Sequence, residues 1–201
     1  MTTPSSPPNW PAVARDLIAR AGTARQAWRT PAHRRGVAPA DVFAAARKTD
    51  ASNALVLGEI VARYGWPGRS RVGEAGCRAA AAIAVHADQD RQLQERLLAA
   101  LHEAAQRGEA TPAQWAHVQD RLLVTRGQPQ LYGTQYVYRP DETGGHLELL
   151  PVAEPDALDR RRAQVGLPER SEQAQVLRQQ HLASLSALVA SPVRLAERPA
   201  A

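Results

Sequence analysis

The sequence predicts a mainly α fold: a single helical domain with one small β-hairpin at about residues 132–152. Three observations carry this. Apolar residues recur at helical spacing through most of the chain. Hydrophobic residues make up 44% of the 201 residues and aromatics only 4%, so the core must be Ala, Leu and Val, which suits closely packed helices. One stretch breaks the pattern: "GQPQLYGTQYVYRPDETGGHLELLPV", residues 127–152, holds three of the four tyrosines and alternates on both sides of a turn cluster.

Taken in order, residues 1–9 are Pro/Ser-rich and predict a disordered tail. Residues 10–29 predict a helix anchored by Val13, Leu17, Ile18 and Trp28, and 29–39 a loop with two prolines and a basic cluster. A short helix follows, then a longer one from about Ser52 to Tyr64. The glycines and proline of 65–76 predict a loop. From about Ala75 to His86 the chain is apolar all round, which predicts a central helix. Leu93, Leu97, Leu98 and Leu101 share one face of the next helix, which stops at Gly108. Thr111 as N-cap and Pro112 at the first helical position start another, with Trp115, Val118 and Leu122 on its buried face. After the hairpin, 154–168 predicts a return loop or short helix, and 171–190 an amphipathic helix. The domain plan is therefore a tail over 1–9, a helical domain with hairpin over 10–170, and a C-terminal helix and tail over 171–201.

A net charge of +5 and a pI near 10.1 admit an anionic partner. The excess is scattered arginine with a single lysine, Lys48, largely balanced by 20 acids. No basic run with interleaved aromatics is present, which argues against nucleic acid. Cys77 is the only cysteine, so no intrachain disulfide can form, and a reducing cytoplasm is expected. The N-terminal residues lack the pattern of a signal peptide, and no segment has the length of a membrane span. P-loop, dinucleotide and Gly-x-Ser-x-Gly signatures are missing. The histidines form no metal-ligand pair, so neither metal nor cofactor is expected.

Four short motifs remain: "DASN" (50–53), "GWPGRSRVG" (65–73), "HADQD" (86–90), and "DR" (120–121) followed by "GQPQLYGTQ" (127–135). With Gly166-Leu167-Pro168, their order and spacing resemble a bacterial family of small proteins, a domain of unknown function, over about residues 45–170. The resemblance implies a fold and a site location but no activity. The chain departs from the family's pattern twice. Val85 stands where a Gln usually precedes His-Ala-Asp, and "GTARQ" (22–26) replaces an Asp-Gln pair on the first helix.

These motifs supply the candidate residues. His86, Asp88 and Asp120 are the candidate catalytic groups: a histidine whose tautomer a carboxylate fixes can serve as general base. Asp50 or Asp120 would be that carboxylate, and the competing reading is a capping or satisfied core histidine. Arg69 and Ser70, just before a helix start, could bind an anion, or merely sit in a surface loop. Asn53, Asp50, Arg121, Gln130, Tyr132 and Gln135 complete the candidate substrate contacts. Asp120 and Arg121 point about 100° apart on a helix, so they serve different faces, and a structural salt bridge competes with a functional role. With the strand starting near Tyr132, Gln135 would face away from Tyr132 and Tyr136. The expected picture is one cleft walled by the hairpin, the His86 turn and the Arg69 loop.

Such a set fits a cofactor-independent enzyme acting on a small molecule by acid/base chemistry. Elimination or intramolecular displacement with loss of an anionic group is the expected reaction, in specialised metabolism. The alternative is a non-catalytic helical binding module, or a subunit of a homo- or hetero-oligomer joined through the C-terminal helix.

Overall fold

The computed structural model describes residues 7–28, 40–139 and 146–189. Among the described residues, seven α-helices and one two-stranded antiparallel hairpin make a mainly α fold. Helix α1 spans Trp10–Trp28, α2 Ala40–Tyr64, α3 Arg69–Val85, α4 Arg91–Gln106 and α5 Pro112–Thr125. Strands β1 (Tyr136–Arg139) and β2 (His146–Leu149) follow, then a 3-10 turn at Pro155–Ala157, α6 (Leu158–Gln164) and α7 (Arg170–Val189). The expected tail up to residue 6, the loop over 29–39, the hairpin turn over 140–145 and the C-terminal tail lie outside the described residues, as do the side chains of Trp28, Leu185, Leu188 and Val189.

Helix α3 is the centre, packing on α1, α2, α4 and α5. Its Cys77, Ala79, Ala80, Ala81, Ile83 and Ala84 are buried together with Leu17, Leu57, Leu93, Leu97, Leu101 and Val118 from its neighbours. Each fully buried leucine contributes about 2 kcal/mol, and the small alanines let the helices approach closely enough to exclude voids. At Gly76 a Cβ would lie 2.8 Å from Val72 Cβ, so the kink within α3 needs glycine there, while Ala14 Cβ on α1 would be at 3.4 Å, an ordinary contact.

The helix ends follow local chemistry. Asp90 accepts from Leu93 N at 2.9 Å to start α4. Thr111 and Gln114 cap α5 reciprocally, the capping box that the Thr-Pro start leaves room for. Gly108 ends α4 with φ +72°, a conformation that costs glycine little.

Three expectations are corrected. Helix α2 is continuous from Ala40 to Tyr64 rather than two helices. Its polar residues are accommodated in the helix: Thr49 Oγ1 donates back to Ala45 O, and Asn53 Nδ2 donates to Arg20 O on α1. The expected loop over 65–76 is helical from Arg69, with a kink at Gly73 (φ +69°, ψ 172°). The hairpin strand begins at Tyr136 rather than near Tyr132, and pairs Tyr136 with Leu149 and Arg139 with His146. Residues 131–135 are loop, so the facing of Gln135 away from Tyr132 that a strand would impose does not apply.

Candidate functional site

The loop from Leu131 to Gln135 is held from two sides. Asp120, on α5 and fully buried, accepts hydrogen bonds from the amides of Leu131 (2.8 Å), Tyr132 (3.0 Å) and Thr134 (3.0 Å), and from Thr134 Oγ1 (2.9 Å). The carbonyls of the same loop turn the other way. Arg162, on α6 and 1% exposed, donates to Tyr132 O at 2.7 Å and Gly133 O at 3.3 Å. Arg161 donates to Leu131 O at 2.8 Å and to Ala153 O. Gly133 has φ +62°, and a Cβ there would lie 3.2 Å from Leu158, so glycine serves both the turn and the packing.

Gln130 locks the loop's exit. Its buried amide donates to Gln135 O and Leu150 O at 3.0 and 2.8 Å and accepts from Gln135 N at 2.8 Å. Its backbone bridges Val152. Every polar atom of the Gln130 side chain therefore has a partner, and so does Asp120. The clamped loop presents Tyr132 edge-on to Trp115, with ring centres 5.8 Å apart, and brings Gln135 Nε2 to His117 O at 3.4 Å.

On the adjoining side of α5, Arg121 pairs with Asp88, its Nε donating at 2.9 Å. Asp88 belongs to the turn that follows α3, which also carries His86. Burial lowers the His86 pKa from the usual 6.5, Asp50 and Asp88 oppose that fall, and Arg121 adds to it. Asp50 is itself buried, at 4% exposure. Thus α2, the α3–α4 turn and α5 bring Asp50, His86, Asp88 and Arg121 together. Gln94, fully buried on α4, braces the turn by donating to Ala84 O and Val85 O at 3.2 and 3.1 Å.

The single cleft expected from the motifs does not form. Arg69 opens α3 before its kink at Gly73 and His86 caps the far end, so the uninterrupted helix from Glu74 to Val85, roughly 18 Å long, lies between them. The anion at the Arg69 end belongs to the protein: Glu109 accepts from Ser70 N at 2.9 Å. This bond lowers the Glu109 pKa, with Arg69 and Arg71 adding to it. A Cβ on Gly68 would lie 2.5 Å from Glu109 Oε2 and 2.7 Å from its Cβ, so Gly68 makes room for that cap. Asn53 also has a packing role. It bonds Arg20 O and Arg20 Nη1, both at 3.4 Å, beside an open groove of about 630 Å³ between α1 and α2.

Sequence reasoning missed Arg161, Arg162, Thr134, Gln94 and His117. His117 lies three residues before Asp120 on one face of α5, a spacing that could have linked them. Among the described residues no group of three His, Cys, Asp or Glu could hold a metal ion, and no helix is long and apolar enough to cross a membrane.

Replacing Asp120 with Asn should cost about 3 kcal/mol, because an amide cannot accept from all these donors and turns its own N–H groups toward them. Urea unfolding measures this, and a loss below about 0.5 kcal/mol would contradict the clamp. A second expectation concerns pH. Burial lowers the pKa of both His86 and His117 below 6.5, against opposing fields from Asp50 and Asp88 at His86 and from Asp120 at His117, while Arg121 and Arg162 reinforce it. The unfolded chain therefore binds more protons below 6.5, and stability should fall as pH drops through that value and be complete above it. The urea midpoint should be lower at about pH 5 than at about pH 7.5, and His117→Gln should remove part of the difference. An unchanged midpoint would contradict the burial account.

No curated protein and no solved structure matches the chain. Residues 11–183 match a family model described as a family of unknown function, DUF6624, and the chain belongs to that family.

Proposed function

We propose that the protein is an enzyme acting on a small molecule by acid/base chemistry at His86, without a cofactor. One observation carries the reading: His86 is set among Asp50, Asp88 and Arg121, supplied by three separate elements. A histidine kept neutral by burial can accept a proton, and the two carboxylates stabilise the imidazolium that results. The Asp88–Arg121 pair orders the carboxylate nearer the loop turn and brings a guanidinium next to the base. A departing anion would meet that cation, which suits an elimination or an internal displacement. The Arg69 end of α3 has no part in this step, since Glu109 occupies it.

A second reading, a non-catalytic binding module or oligomer subunit, draws on two observations. Asp120, Gln130 and Ser70 spend their hydrogen bonds inside the protein. Val176 on α7 is 46% exposed, an apolar side chain that a partner would cover.

Turnover of a metabolite library separates the two readings. The wild-type chain should consume at least one compound, and His86→Gln should reduce that rate by about 100-fold or more, the range for loss of a general base, while keeping its circular dichroism. Full activity in the variant would sink the His86 assignment.

A further inference from the structure

Arg162 has more bonding capacity than the protein uses. Its Nε donates to Pro168 O at 2.6 Å and its Nη1 to the carbonyls of Tyr132 and Gly133. Its Nη2 is closed to solvent and donates to nothing. Among the described residues no carboxylate forms an ion pair with this guanidinium, although the side chain is 1% exposed. Buried guanidinium groups are normally bonded at every N–H and paired with an anion.

A second unused donor accompanies it. The Tyr136 hydroxyl, at the start of β1, is also buried and without a partner. Burial raises the Tyr136 pKa, so the hydroxyl keeps its proton and can donate, and the positive charges of Arg162 and Arg170 both act on it. Geometry puts the two donors in one neighbourhood, because Arg162 bonds the carbonyls of Tyr132 and Gly133, the latter three residues before Tyr136, and the charge of Arg170 also acts there. A bridging water could satisfy the two donors but would leave the charge uncompensated. An oxyanion satisfies both, because carboxylate and phosphate oxygens accept from guanidinium and phenol alike.

We propose that Arg162 Nη2 and the Tyr136 hydroxyl form an internal binding site for the oxyanion group, carboxylate or phosphate, of a small ligand. Fixed by the clamp on the Tyr132–Gln135 loop, the site is organised before the ligand arrives. Both donors are shut off from solvent, so entry requires the Tyr136 side of the hairpin to open. The inference goes beyond the acid/base reading at His86 and rests on different residues, so either can fail alone.

Thermal unfolding of the full chain tests it, with inorganic phosphate and acetate titrated separately at constant ionic strength in sodium chloride. At least one anion should raise the melting temperature saturably above the chloride control. A response to phosphate alone assigns a phosphate group, and a response to acetate alone a carboxylate. Tyr136→Phe should melt like the wild type and bind that anion about tenfold more weakly, the loss of one hydrogen bond to a charged acceptor. Absence of any effect beyond chloride, or an equal response in Tyr136→Phe, overturns the proposal. A Tyr136→Phe protein that fails to fold overturns it as well, since the hydroxyl would then have a partner within the protein.

Discussion

The carboxylate of Asp120 is the constraint on which the second half of the molecule depends. It sits fully buried on α5 and holds the amides of Leu131, Tyr132 and Thr134. Taking a carboxylate out of water is costly, and only several charge-assisted hydrogen bonds offset it. The loop supplies four, one from a hydroxyl. The opposite edge of the loop, its carbonyls, is gripped by Arg161 and Arg162. The peptide groups thus lie between a negative and a positive side chain and carry the interaction from one to the other. This arrangement ties α5 to α6 through backbone that has no regular structure of its own. It also sets the start of the hairpin, because Gln130 bonds both Gln135 and Leu150.

Helix α5 divides the polar chemistry between two of its faces. Asp120 serves the loop, and its neighbour Arg121 serves the turn carrying His86 and Asp88. Adjacent residues on a helix diverge by about 100°, so one short segment can anchor both without their competing. The rigid side gives the loop one conformation, and the other gathers titratable groups from α2 and the α3–α4 turn. Rigid support beneath a cluster of ionisable groups is what a preorganised site requires.

Much of the fold was legible because its signals are local. Thr111-Pro112, Gly108 and the leucine spacing of α4 each act within one helical turn. The tyrosine-rich stretch was legible as a hairpin through alternation and turn residues. The misplaced features depend on distant residues. "GRSRVG" resembles a loop, yet it begins a helix because Glu109, 39 residues away, caps Ser70. "DASN" resembles a break, yet Asn53 is held by α1. Nothing marks Arg162 within a stretch that predicts a return loop or short helix, because its burial depends on a loop 30 residues upstream. The motifs named the residues that gather around His86, but they could not say that Arg69 and His86 stand at opposite ends of α3. That follows only once 69–85 is known to be helical.

The clamp makes a direct claim about the amides of Leu131, Tyr132 and Thr134, which lie in a loop without regular secondary structure. Native-state hydrogen exchange reads them individually. Held by a buried carboxylate, they should exchange only through large-scale unfolding, with protection close to that of the α3 core amides. Exchange of these three at the rate of freely exposed loop amides would contradict the account.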